Sequence, residues 1–187
     1  MNVILIGMKH CGKTTLGSAL AARWRCPFYD VDRMIEEYNE RETGQRLTVR
    51  EIFSSGGEDR FRELEARAVC DIFLRLDKTE GSNVVAVGGR TALNKKVEAL
   101  LNAMGLVVYL EVSPDEMFAR VARSGLPPFV DENDPENHFL KLHEERSPHY
   151  RRLARLTVDL DGLDADAALE KLCHGIEEYS RGQRRSF

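Results

Sequence analysis

The sequence holds no uninterrupted apolar run of 18 residues, so no conventional membrane-crossing helix is expected. It lacks a C-x-x-C pair: Cys11, Cys26, Cys70 and Cys173 stand far apart, which speaks against a zinc or dithiol redox site and for four reduced thiols. There is no internal repeat and no low-complexity tract. It also lacks a basic excess, since 27 Lys and Arg against 31 Asp and Glu leave a net charge of -4. No nucleic-acid partner is therefore expected. The opening residues MNVILIGMKH lack the basic start and long apolar stretch of a secretory signal, so the expected location is the cytoplasm and no membrane partner is foreseen. What remains is an ordinary globular composition, 42% apolar and 31% charged over 187 residues, enough for a single domain spanning 1–187 with small excursions.

Short apolar runs rich in β-branched residues alternate with helical patterns. NVILIG (2–7), PFYDVD (27–32), NVVAV (83–87), LVVYLEV (106–112) and RLTVDLDG (155–162) read as strands. Between them, helices are expected from Lys13 to about Arg25, over 33–44, in a short piece opened by the Thr48 and Glu51 capping box, and from Gly57 to about Leu76. Further helices follow over 93–105, from Pro114 to about Gly125, over 135–154 and over 164–179, with a frayed tail RGQRRSF. This alternation implies an α/β fold, a five-stranded parallel sheet with helices on both faces, whose ligand edge lies at the strand C-termini.

Residues 7–14, GMKHCGKT, fit G-x-x-x-x-G-K-[ST] between a strand and a helix. Glycines there turn backbone N–H groups toward phosphates, and the following helix adds its positive end. Gly7, Gly12, Lys13, Thr14 and Thr15 are the candidate ATP contacts, with Lys13 reaching the β- and γ-phosphates and Thr14 taking a Mg2+ position. His10 and Cys11 fill free positions and are given no chemistry. An Asn-Lys-x-Asp base reader is missing, as are the His-Arg-Asp and Asp-Phe-Gly loops of protein kinases, which leaves small-molecule kinases as the leading class.

Asp30 and Asp32, two apart at the end of a predicted strand, are expected to point to one side. One would hold Mg2+ through water while the other accepts a hydrogen bond from a substrate hydroxyl as it attacks; the alternative is that Asp32 merely caps the next helix. In GEDRFRELE (57–65) two arginines stand among four acids, a pattern that equally describes a solvated, salt-bridged face.

Taken together, GMKHCGKTT, FYDVDRMIEE, TVREIFSSGGEDRFRELE, VVAVGGRTA, VVYLEVSPDE and EERSPHYRRLA resemble the shikimate kinase family in order and spacing, to about residue 175. The resemblance implies a P-loop kinase of the nucleoside-monophosphate-kinase type that moves the ATP γ-phosphoryl group to the 3-hydroxyl of shikimate, with a substrate-binding excursion at 32–65 and a lid at 124–137. By position it implies that Asp32 takes substrate hydroxyls, Asp30 lies near Mg2+, and Arg62 and Arg146 clamp the substrate carboxylate, with Glu65 holding Arg62. Gly88 and Gly89 would line the shikimate site, Arg120 would pack on adenine, and the chain would be a monomer.

Two positions depart from the family pattern. Its third glycine is Arg90 here, and its lid arginine falls on Pro127. A cation at a transferring phosphoryl group is worth roughly 10³–10⁵ in rate, so its loss without replacement would nearly silence the enzyme; Arg90 and Arg123 are the two candidates to compensate, with Arg90 a candidate catalytic residue beside Lys13 and Asp32. Alternatively Arg90 turns to solvent or obstructs the acceptor. Two other functions stay open: a kinase of another hydroxylated acid such as quinate or gluconate, and a nucleotide-binding homologue with a regulatory role. His138, His143, His149 and His174 show no ligand spacing and are expected at the surface, while Tyr150 and Arg151 are expected to pack locally.

Overall fold

The computed structural model describes residues 1–124 and 134–184; of Lys96, His138 and residues 121–124 only the backbone is described. The lid expected at 124–137 therefore falls largely outside the described residues, as do Pro127 and the Arg123 side chain.

Five strands form one sheet: β1 (Asn2–Ile6), β2 (Phe28–Asp30), β3 (Asn83–Ala86), β4 (Leu106–Glu111) and β5 (Leu156–Asp159). Their order is β2-β3-β1-β4-β5 and every neighbouring pair is parallel. Val3, Ile4, Leu5 and Ile6 of β1 are fully buried, as are Val84 and Val85 of β3 and Val107 and Val108 of β4. That is why these strands read as unbroken apolar runs: a parallel sheet is covered on both faces, and each such side chain contributes roughly 1.5–3 kcal/mol by leaving water.

Helices α1 (Lys13–Trp24), α2 (Val31–Thr43), α3 (Val49–Asp77), α4 (Lys95–Met104), α5 (Pro114–Ser124), α6 (Pro135–Leu153) and α7 (Ala165–Arg184) connect and flank the strands. The capping box forms as expected: Thr48 Oγ1 accepts from the Glu51 amide at 3.3 Å while Glu51 Oε2 accepts from the Thr48 amide at 2.8 Å. The two helices expected around residue 57 are present within α3 and meet at Gly57, whose backbone is not helical (φ 75°, ψ 177°), a conformation open to glycine. α7 continues through Arg181 to Arg184, so the tail is helical beyond the expected stop at 179. Glu116 does not complete a capping box with Ser113; it pairs with Arg120 and accepts from the Gly162 amide at 2.7 Å. All four cysteines are free, and among the described residues no helix is long and apolar enough to cross a membrane.

Candidate active site

The chain leaves the buried end of β1 at Gly7, where φ is 142° and a Cβ would lie 2.9 Å from the Leu110 carbonyl. Only glycine fits that turn, which carries residues 7–12 back over the sheet edge. His10 adopts a left-handed φ of 67° within it, an unusual conformation for a side-chain-bearing residue. At the end of the loop Gly12 precedes α1 with no side-chain cap, so the first amides of α1 have no capping side chain and form a natural anion cradle. The buried Lys13 ammonium donates to the carbonyls of Met8 (2.7 Å) and Gly7 (3.0 Å). These bonds hold the cation at the loop.

Thr14 Oγ1 donates to Asp30 Oδ2 at 2.7 Å, joining the loop to the end of β2. Asp30 also caps α2, its Oδ1 accepting from the amides of Asp32 (3.0 Å) and Arg33 (3.4 Å). This corrects two expectations. The cap is Asp30, and Asp32 already lies in the first turn of α2, so strand alternation is not what brings the carboxylates together. Both nevertheless face one cavity. Burial pushes the Asp32 carboxyl up to about 6; Lys13 pulls it down, and Asp30 pushes it up again. The Asp32 carboxylate lies so close to the glycine turn after β3 that a Cβ on Gly88 would meet its Oδ1 at 2.4 Å and Thr91 Oγ1 at 2.8 Å.

Arg62 and Arg90 share an acid. Arg90 Nη2 donates to Glu58 Oε1 at 2.8 Å and Arg62 Nη2 approaches the same oxygen at 3.3 Å. Arg62 Nη1 also meets Glu65 Oε2 at 3.2 Å and the Arg90 carbonyl at 3.4 Å. Glu65, 1% exposed, completes its contacts by accepting from Thr91 Oγ1 at 2.8 Å. Burial pushes its carboxyl up, opposed by Thr91 and Arg62. The Arg90 guanidinium lies 5.1 Å from the centroid of the Phe53 ring. It is thus engaged on α3 through an ion pair and a cation–π contact.

Arg146 projects from α6, which is seated by a buried polar chain. The Tyr150 hydroxyl donates to the Gly89 carbonyl at 2.6 Å, tying α6 to the glycine turn. The His143 ring lies 3.2 Å from Ser147 Oγ, and Tyr109 of β4 donates to that hydroxyl at 3.3 Å. His143 is therefore buried, not at the surface as expected, and burial pushes its pKa down. His149 is half-buried against the Ala92 carbonyl at 2.8 Å, while His174 is exposed. Burial pushes the Arg146 guanidinium down from its ordinary range, Tyr150 pulls it up, and the like charge of Arg90 pushes it down.

A cavity of about 430 Å³ opens at this edge. Lys13, Thr14 and Thr15 line one part; Asp30 and Asp32, Gly88 to Arg90, and Arg146 complete the walls. Arg62 is not among its described lining residues. Arg120 lines a second cavity of about 210 Å³, between α1 and the start of α7, that shares Gly12 and Thr15 with the first. Arg50, Phe53 and Phe61 line the main cavity too, though sequence reasoning assigned them no role. TVREIF contained the signal for Arg50 and Phe53, three residues apart on one helical face, but was read only as a helix start.

A parallel sheet of this order that passes through a glycine-rich loop into an uncapped helix is the core of a P-loop phosphotransferase. The chain belongs to the shikimate kinase family, whose model matches residues 9–177. A shikimate kinase of Burkholderia thailandensis is 36% identical over 160 residues, covering 85% of this chain and 80% of its own. One of Thiobacillus denitrificans is 32% identical over 186 residues, covering 100% and 95%. Among solved structures, a shikimate kinase from Acinetobacter baumannii in complex with shikimate superimposes with a TM-score of 0.80 at 29% identity, covering 95% of this chain and 93% of that one. A gluconokinase from Sinorhizobium meliloti, at TM-score 0.63 and 17% identity, shares the fold.

Proposed function

We propose that the chain transfers the γ-phosphoryl group of ATP to the 3-hydroxyl of shikimate. The observation that carries this reading is the placement of Asp32: its carboxylate stands in one cavity with Lys13 and Thr14 of the P-loop and with Arg146. In this reading the loop amides and Lys13 bind the β- and γ-phosphates, and Arg120 packs on adenine in the adjoining cavity. Asp32 accepts the proton of the attacking hydroxyl, a task suited to a carboxyl held at about 6. Arg146 binds the acceptor carboxylate. Arg90 adds positive charge beside it, and the Gly88-Gly89 turn forms the floor.

Thr14 and Asp30 are the oxygen donors for Mg2+. Among the described residues no cluster of three or more His, Cys, Asp or Glu side chains could hold a metal. The joined Thr14 and Asp30 oxygens fit an ion that takes one or two protein oxygens and completes its shell with phosphates and water. When bound, the ion neutralises charge on the transferring phosphates. Protein positioning and charge stabilisation supply the rest, because phosphoryl transfer demands little covalent chemistry of side chains.

The test is ADP release measured with shikimate, with quinate, with gluconate and with no acceptor. Shikimate-dependent turnover supports the reading. Turnover confined to another acid redirects it to that acceptor, and a rate indifferent to every acceptor overturns it.

A further inference from the structure

The phosphate loop carries a cation that its motif does not require. Lys9 occupies a free position between Gly7 and Gly12, is exposed, and lines the main cavity. Other cations of that cavity are already engaged. The Lys13 ammonium donates to the carbonyls of Met8 and Gly7 and lies 3.7 Å from Cys11 Sγ. Arg90 is held by Glu58 and by the face of Phe53, and Arg146 shares a hydrogen bond with the Tyr150 hydroxyl. The Lys9 side chain enters no hydrogen bond or ion pair among the described residues.

The backbone at Lys9 is where the phosphate loop abuts the glycine turn. A Cβ on Gly89 would lie 3.2 Å from the Lys9 amide nitrogen, just as one on Gly88 would lie 2.4 Å from the Asp32 carboxylate. Lys9 and Asp32 thus approach the same two-glycine turn, one from the phosphate side and one from the acceptor side. His10, with its left-handed φ of 67°, directly follows Lys9. The field of the Lys9 ammonium reaches both neighbours. Burial pushes the Asp32 carboxyl up, and Lys9 adds to the opposing pull of Lys13. Burial pushes the His10 imidazole down, and Lys9 pushes it further in the same direction. An uncommitted cation therefore stands between the loop and the acid expected to receive the hydroxyl proton, where a phosphoryl group carrying negative charge would complement it.

We infer that Lys9 is a further catalytic residue, whose ammonium binds a non-bridging oxygen of the γ-phosphoryl group while that group passes from ATP to the acceptor hydroxyl. The inference rests on the hydroxy-acid kinase function proposed above. In the transfer, the acceptor oxygen forms a bond to the γ-phosphorus as the bond to the β–γ bridging oxygen breaks. The bonding pair leaves with ADP, and the hydroxyl proton goes to Asp32. Lys9 stays protonated throughout and gives up no proton; it balances the charge spread over the three non-bridging oxygens. A compact point charge on a flexible stem suits a group that changes position during the reaction. The same charge favours the ionised form of Asp32, which is the form able to accept the proton.

The test compares wild type, Lys9→Met and Lys9→Arg in single-turnover phosphoryl transfer from ATP to shikimate with Mg2+, and measures ADP affinity by calorimetry. Loss of one charge-assisted hydrogen bond should slow transfer about 10–100-fold in Lys9→Met, and Lys9→Arg should recover part of the loss. Because ADP lacks the γ-phosphate, its affinity should stay within about twofold, as should the KM for shikimate. A loop that had merely lost its shape would bind ADP more weakly as well. An unmoved transfer rate in Lys9→Met, or a fall in ADP affinity in step with the rate, overturns the inference and leaves the kinase reading intact. A wild type without shikimate-dependent transfer overturns both.

Discussion

Asp32 is the residue on which the proposed chemistry turns, and its environment has a cost in stability. Its carboxyl binds a proton more tightly in the folded chain, at about 6, than at the ordinary 3.8, so folding becomes less favourable as pH rises through that window. The protein is then less stable above pH 6 than below the ordinary carboxyl range by about 1–3 kcal/mol, because each tenfold difference in proton affinity between folded and unfolded chains corresponds to about 1.4 kcal/mol. Asp32→Asn should therefore raise the melting temperature at pH 8 without nucleotide or Mg2+, show a smaller gain at pH 4, and lower kcat by roughly 10²–10⁴. Calorimetry at the two pH values and an ADP-release assay check both halves; a variant that gains no stability at pH 8 contradicts the burial argument. Gly88→Ala forces a methyl group against the Asp32 carboxylate, which would have to move from 2.4 Å, and should lower kcat for every acceptor. Arg90→Gly removes an exposed ion pair and a cation–π contact, costing about 1 kcal/mol of stability, and should lower kcat/KM for shikimate about tenfold. Unchanged or higher turnover would show that Arg90 only obstructs the site.

At the scale of elements, the strands were legible because each is short, apolar and β-branched, and parallel strands covered on both faces permit no alternation. The phosphate loop was legible because its glycines and Lys13 are constrained within eight residues. What escaped depends on contacts between distant segments. The end of β2 is set by Asp30 turning to cap α2, which moves Asp32 from strand to helix. The burial of His143 depends on Ser147 and, through it, on Tyr109 arriving from β4. The position of Arg90 depends on Glu58, 32 residues earlier. Between Glu58 and the cavity-lining first turn of α3 stands the kink at Gly57. Gly57→Ala would place a Cβ in a strained conformation costing about 1–3 kcal/mol. It should raise the KM for the acceptor more than that for ATP, because Arg50 and Phe53 lie on the moved side. Steady-state kinetics read that split; equal changes in both constants would contradict a hinge at this position.

Across the whole molecule, one sheet edge gathers both halves of the reaction. The two cavities meet at Gly12 and Thr15; in the proposed reaction adenine occupies the smaller one, and the phosphates and the acceptor meet in the larger, along the phosphate loop. The overall charge of -4 conceals a local concentration of arginines drawn from α3, α6 and the glycine turn, and such a patch attracts small anions even when the net field does not. The central claim is that this edge phosphorylates one hydroxyl of shikimate. Phosphorus NMR of a reaction containing ATP, Mg2+ and shikimate tests it most directly. The account predicts a new phosphomonoester resonance coupled to the proton at ring position 3, growing in step with ADP and absent from Lys13→Met and Asp32→Asn reactions. ADP accompanied only by inorganic phosphate, at the same rate with and without shikimate, would contradict it.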